Sequence, residues 1–236
     1  MKTYVLLHGA WHGSWCWNKV IPLLRTKGDT VITPDIPWTF DNLYPNRSID
    51  MNLFAAQLCE LIVDLNVQVI LVGHSMAGLL SSIIISKIPD HISSAFYICG
   101  FIPAHGQCIN DLESIMSNST IASNMFLDQK KRSMIVPDTC IKEGFFHDCN
   151  EIDYNFVKQR IKPQLVSTFL HTMDIDYSKL TDTRKIYIEC KDDKAVPILA
   201  QREMQKNTNI DQTLSLPCGH SPFFSLPEKL VQLLYS

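Results

Sequence analysis

Val67-Gln68-Val69-Ile70-Leu71-Val72-Gly73-His74-Ser75-Met76-Ala77-Gly78 is the stretch that decides the fold. Residues 67–72 are apolar but for Gln68, the composition of a strand buried on both faces of a parallel sheet. Residues 76–87 then read as a helix, so the chain must turn sharply at Ser75. Small residues two before and two after the serine, Gly73 and Ala77, let strand and helix approach closely. This context is what a nucleophile elbow requires, because it holds a serine hydroxyl in a strained, exposed position. The bland alternative, a simple turn with Ser75 as a helix N-cap, does not call for the flanking buried strand.

Outward from this segment the same alternation continues. Tyr4–Leu7 and Thr30–Thr33 read as strands, separated by a helical pattern with Trp17, Val20, Ile21 and Leu24 on one face, where Pro22 delays or kinks the helix. Met51, Phe54, Ala55, Leu58, Leu61, Ile62 and Leu65 repeat at +3/+4 through a helix over 50–66, with Asp50 or Ser48 as N-cap. Ser93–Cys99 is the next strand. From about 102 to 180 the chain turns polar and irregular; a hairpin around Pro137-Asp138 within 133–146 and a helix over 151–173 are expected there. Strand and helix then resume with Lys185–Cys190, Ile198–Lys206, Gln212–Leu216 and a final helix to Tyr235, opened by a capping box at Ser225-Leu226-Pro227-Glu228. The order predicts an α/β domain with a mainly parallel sheet and helices on both faces. The 102–180 segment is expected to be a cap inserted over the strand ends of that single domain, where ligands of such sheets bind.

Composition narrows the partners. The 236 residues suit one domain with a sizeable core, and 46% hydrophobic against 19% charged residues is a globular balance. With a net charge of −3 and no longer basic cluster than Gln129-Lys130-Lys131-Arg132, nucleic acid is not an expected partner. The apolar stretch near Met1 is too short for a signal peptide, and no run of about 18 apolar residues is present to span a membrane. Eight scattered cysteines without a C-x-x-C pair fit free thiols in a reducing cytoplasm. Monomer and homodimer are both compatible with this composition.

A serine hydroxyl needs a base within hydrogen-bond reach. Of eight histidines, His220 stands in Pro217-Cys218-Gly219-His220-Ser221-Pro222, between the last strand and the last helix, a loop that emerges on the same sheet edge as the elbow. The base in turn needs a carboxylate, and the chain order Ser…Asp…His points to Asp192 or Asp193, in the turn after Ile186–Cys190. An oxyanion hole requires two N–H groups. The Met76 amide follows the nucleophile at a helix start, and Ala10, in His8-Gly9-Ala10-Trp11-His12-Gly13 after the first strand, is the best second donor. A phosphate loop is not indicated, since neither glycine-rich phosphate motif is present.

Tyr4–Trp17, Gly73–Gly78, Tyr187–Lys194 and Cys218–Pro222 together resemble the signature blocks of the α/β-hydrolase superfamily, and within it the plant methylesterase and hydroxynitrile lyase group with its bacterial esterase relatives. The blocks come in the same order and span nearly the whole chain outside the cap. The resemblance implies an α/β-hydrolase fold, Asp193 rather than Asp192 as the triad acid beside Ser75 and His220, and the Ala10 and Met76 amides as oxyanion donors. The lyases of the group carry threonine where this chain has Gly9 and lysine where it has Ser221, so esterase chemistry is expected over lyase chemistry. The expected reaction is hydrolysis of a small carboxylic ester through an acyl-enzyme, with no metal or organic cofactor. Phe101, Ile102, Met125, Phe126 and Phe145, with Met116 and Phe146, are candidates for an apolar substrate pocket or for the core of the cap. An intact triad argues against a non-catalytic ligand receptor on the same fold.

Overall fold

The computed structural model of the protein describes residues 1–39, 50–177, 180 and 183–236. Six strands form the central sheet: β1 (Thr3–Leu7), β2 (Thr30–Ile32), β3 (Val69–His74), β4 (Ile92–Ile98), β8 (Arg184–Cys190) and β9 (Gln212–Leu216). Their spatial order is β2-β1-β3-β4-β8-β9, and every pairing is parallel. The apolar run before the elbow is β3, and all six of its residues are buried. Both faces of that strand must therefore be covered by helices, which is why it tolerates no alternation of polar side chains.

The chain leaves β1 toward one edge of the sheet and returns to β3 to build the other. That reversal opens a crevice at the carboxyl ends of the strands. Register brings those ends into line: Leu7 pairs with Gly73, His74 with Ile98, and Cys190 with Leu216. The loops that follow these ends carry Ala10, Ser75, Phe101, Asp193 and His220 to one edge.

Two helices show how local sequence sets the frame. α2 (Met51–Asp64) is capped by Asp50, whose Oδ1 accepts the Asn52 and Leu53 amides at 2.9 and 3.2 Å. This satisfies two of the donors a helix start leaves unpaired; Ser48, the other candidate cap, lies outside the described residues. α3 (Ala77–Lys87) starts directly after the elbow and is buried from Ala77 through Ile85, so it is apolar on nearly every side. Among the described residues, α1 (Val20–Arg25), α6 (Ile198–Gln205), α7 (Pro222–Ser225) and α8 (Pro227–Leu233) also pack around the central sheet.

Between β4 and β8 lies the irregular segment, with its own antiparallel sheet of β5 (Phe126–Asp128), β6 (Ser133–Ile135) and β7 (Gln164–Leu165), and the helices α4 (Asp138–Phe145) and α5 (Glu151–Val157). Here local expectation and structure part. The hairpin turns at 129–132, with Arg132 at φ +49°, and not at Pro137-Asp138. Pro137 instead stands at the N-cap of α4, a position as natural for a Pro-Asp pair as a turn. The helix expected over 151–173 ends at Val157. Pro163 follows closely and disfavours helical backbone in the residue before it. The last helix is split into α7 and α8, and Leu226 stands at the second N-cap without a side-chain cap. The Ser225 hydroxyl instead donates to the Ser221 carbonyl at 3.4 Å. All eight cysteines are free, and no helix of the described residues is long and apolar enough to cross a membrane.

Candidate active site

Ser75 occupies the turn between β3 and α3 with φ +54°, a left-handed backbone that non-glycine residues rarely adopt. Such strain costs of order 1–3 kcal/mol and persists only where surroundings over-determine it. Here the Ser75 N–H donates to the Ile98 carbonyl at 3.0 Å, and its own carbonyl accepts the Gly78 and Phe101 amides, both at 2.9 Å. The flanking small residues are required by contact: a Cβ at Gly73 would lie 2.3 Å from Ser81 Oγ, and one at Gly78 would lie 2.5 Å from the Phe101 carbonyl oxygen.

His220 lies between β9 and α7 and is 1% exposed. Its Nδ1 donates to Asp193 Oδ2 at 2.7 Å. The second oxygen of Asp193 accepts the Ala195 and Val196 amides at 2.7 and 2.8 Å, so the carboxylate is held from both sides. Asp192 points to solvent, while its backbone N–H donates to the Cys218 carbonyl at 3.0 Å. The loop bearing His220 is anchored from the inserted segment: the Gly219 N–H donates to Asp148 Oδ2 at 2.7 Å.

Three further histidines are buried close by, and each is tied up structurally. His74 Nε2 donates to the His220 carbonyl at 2.8 Å, and His12 Nδ1 donates to the Ala10 carbonyl at 2.7 Å. His8 donates from Nδ1 to the Gly9 carbonyl and accepts the Ile36 amide on Nε2. Burial pushes His8 down to about 4 and His12 down to about 3, and it holds His74 well below the usual histidine range. All three are thus neutral in the folded protein at neutral pH, whereas the unfolded chain protonates them below about pH 6.5. Folding stability should therefore fall as pH drops from 6.5 to 5, each of these histidines contributing up to about 1.4 kcal/mol per pH unit. Thermal melts across that window should show a steady fall in Tm, and a flat profile would refute the neutral assignment.

His74, Cys99 and His220 also bring one ligand atom each within 4.8 Å of one another. Two of those nitrogens already have partners: His220 Nδ1 is held by Asp193 and His74 Nε2 by the His220 carbonyl. Cys99 adds no ready thiolate, since burial pushes its thiol up to about 12.

Ser75 and His220 open onto one cavity of about 170 Å³, together with Ala10 and Met76. Met76 stands at the N-terminus of α3, where helix N–H groups have no partner within the helix and the dipole favours negative charge. Phe101, Met116, Met125 and Phe145 line this cavity, as do Trp11, Ile109, Ile121 and Phe169, while Glu113 is the only acidic residue on its wall among the described residues and is exposed. Three of the aromatic and aliphatic candidates lie elsewhere. Ile102 is fully buried off the cavity wall, Phe126 is 51% exposed on β5, and Phe146 packs against His12 and Phe224. Trp11, Phe169 and Asp148 escape sequence reasoning: Trp11 has the signal of its place next to Ala10, but the other two lie in an irregular segment without periodicity.

The sequence matches the Alpha/beta hydrolase family over residues 4–233. It is 27% identical to Methylesterase 9 of Arabidopsis thaliana over 99% of this chain and 97% of that protein. Among solved structures it is similar to a pyrethroid hydrolase from Sphingobium faniae JZ-2, with a TM-score of 0.85, 24% identity and coverage of 99% and 96% of the two chains. It is also similar to a methylesterase protein from Arabidopsis, with a TM-score of 0.83, 23% identity and coverage of 100% and 98%. A parallel sheet in the order above, a strained serine between β3 and α3, and a family match over almost all of the sequence agree: the chain belongs to the α/β hydrolase family.

Proposed function

We propose that the protein is a serine esterase that hydrolyses small, uncharged carboxylic esters through an acyl-enzyme. The observation that carries this reading is the pairing of His220 Nδ1 with Asp193 Oδ2 at 2.7 Å, on a cavity that also holds Ser75 at φ +54°. Likeness to a methylesterase along the whole chain supports the same chemistry.

In this mechanism Ser75 Oγ attacks the ester carbonyl while His220 Nε2 takes its proton. Asp193 keeps the imidazole in the tautomer with hydrogen on Nδ1 and stabilises the imidazolium that forms. The amides of Ala10 and Met76 receive the oxyanion, a term worth roughly 3–4 kcal/mol per donor in comparable sites. His220 then returns the proton to the departing alcohol, and a water activated by His220 cleaves the acyl-enzyme. No step calls for a metal or an organic cofactor.

Cavity walls set the substrate class. An apolar space of about 150 Å³ accommodates benzene, so about 170 Å³ lined by Trp11, Phe101, Phe145 and Phe169 suits an acyl or alcohol part of one ring or a short chain. Among the described residues no Lys or Arg lines the cavity, so an anionic substituent would enter without a counter-charge from them, at high desolvation cost. We read the inserted segment over 102–180 as a cap on one hydrolase domain, and the free thiols as those of a protein kept in a reducing cytoplasm.

Lyase chemistry fits less well. A Cβ at Gly9 would lie 2.9 Å from Ser75 Cβ and 2.8 Å from His74 Nδ1, so this backbone leaves no room for a threonine. Ser221 is fully buried and supplies no cation. The purified protein should hydrolyse p-nitrophenyl acetate and short methyl esters, and it should cleave a cyanohydrin such as mandelonitrile far more slowly. Cyanohydrin cleavage outpacing ester hydrolysis would overturn the esterase reading.

A further inference from the structure

Gln164 is fully buried in the inserted segment, on β7, away from the cavity wall. A buried amide with no catalytic role still demands partners for its donors and acceptor, and those of Gln164 converge on the oxyanion loop. Its Oε1 accepts the Trp11 N–H at 2.9 Å. Its Nε2 donates to Thr168 Oγ1 at 2.9 Å and touches Met76 Sδ at 3.8 Å. The Thr168 hydroxyl donates in turn to the Leu165 carbonyl at 2.7 Å, so its oxygen is left to accept. Since Trp11 N–H is only a donor, this chain fixes which end of the amide faces it.

The peptide unit joining Ala10 to Trp11 is thereby held at both polar ends. Its carbonyl accepts from His12 Nδ1 at 2.7 Å, and its N–H donates to Gln164. Trp11 itself sits at φ +60°, in the left-handed region that a bulky residue disfavours. Two further bonds reach it from the inserted segment: the indole N–H donates to the Met134 carbonyl at 3.0 Å, and the Trp11 carbonyl accepts the Lys162 amide at 3.2 Å. Met134 and Gln164 are register partners across β6 and β7. The small sheet thus presents one carbonyl to the indole and one side chain to the backbone of the same strained residue.

We propose that Gln164 is a positioning residue: it locks the Ala10–Trp11 peptide, and with it the Ala10 N–H, into the orientation that stabilises the oxyanion. Without Gln164 the buried Trp11 N–H has lost its acceptor, and the loop after β1 must shift as a whole to find another, carrying the Ala10 N–H out of line. The hydrolytic site is then complete only when the small sheet is seated on the loop after β1. This inference rests on the reading of Ser75 as nucleophile and Ala10 as oxyanion donor.

The test is Gln164→Leu, close in volume and without the acceptor, compared with the wild type in p-nitrophenyl acetate hydrolysis and in inhibition by an alkyl trifluoromethyl ketone. That ketone forms a hemiketal oxyanion on the serine and so reports the hole directly. Expected are a kcat lower by about 10- to 100-fold, part of the loss seen when an oxyanion donor is deleted outright, a KM within about twofold on the same scale, and ketone affinity weakened in parallel with kcat. A folded variant with kcat within threefold of wild type, or with the loss confined to KM and ketone affinity unchanged, overturns the proposal. Should Gln164→Leu fail to fold, Thr168→Val removes the group that orients the amide and leaves Oε1 in place. It should lower kcat and ketone affinity together by several-fold, and no change in either overturns the proposal. A fluorophosphonate probe separates this from the underlying reading. If wild type is not labelled at Ser75, the nucleophile assignment fails; if it is labelled and both variants turn over as wild type, only the role of Gln164 fails.

Discussion

Ser75→Ala is expected to abolish ester turnover, lowering kcat by a factor on the order of 10⁶ as in other hydrolases that lose their nucleophile. The fold should survive intact. Alanine keeps the Cβ, and the bonds that pin this residue, from its N–H to Ile98 and from Gly78 and Phe101 to its carbonyl, are all made by the backbone. The loss is thus chemical and not structural, and Tm should stay within a few degrees of wild type. Labelling by a fluorophosphonate should vanish with the hydroxyl, because only an activated serine reacts quickly with such reagents. Ser75→Gly should sharpen the distinction: glycine adopts positive φ without penalty, so this variant should be equally inactive and at least as stable. Residual labelling at another residue, with turnover retained, would remove Ser75 from the mechanism.

Asp193→Asn should lower kcat by up to about 10⁴, the loss expected when the histidine is held in the wrong tautomer. An amide in place of the carboxylate presents an N–H or a neutral oxygen to His220, and it cannot stabilise the imidazolium. Its backbone role should persist in part, because an Asn oxygen still accepts the Ala195 and Val196 amides. Asp192→Asn should change kcat less than threefold, since that side chain is exposed and its local tie to Cys218 runs through the backbone. Measured side by side, the two substitutions discriminate between adjacent carboxylates. A large loss at 192 with little at 193 would reassign the acid.

Much of this architecture is written in local pattern. β3 is recognisable because burial on both faces removes polar residues from a strand, and the elbow because no other turn asks for Gly73 and Ala77 around a serine at that place. α2 is legible from its +3/+4 repeat and its Asp50 cap, both properties of a single helix and its first turn. Order alone put a histidine loop after the last strand and an aspartate turn after the strand before it.

Where competing local signals are nearly balanced, the sequence does not choose. Pro137-Asp138 serves a turn or a helix start equally; in the structure it opens α4, whose Phe145 lines the cavity. Phe101, Phe126 and Phe146 are alike as apolar residues, yet one lines the cavity, one faces solvent on β5 and one is buried beyond the wall. Asp192 and Asp193 differ only in which way the chain leaves β8, and that direction turns one carboxylate to water and the other onto His220.

By itself, then, the sequence determined the parallel sheet, the elbow at Ser75 and the loops that bear its partners, because each depends on periodicity or turn chemistry within a dozen residues. Tertiary structure alone decided the walls of the cavity and the bracing of the loop after β1 by Gln164 and of the His220 loop by Asp148. Those contacts join residues 153 and 71 positions apart in the chain. No local propensity encodes such a meeting; it exists only once the inserted segment has packed against the strand ends and its buried polar groups have found partners.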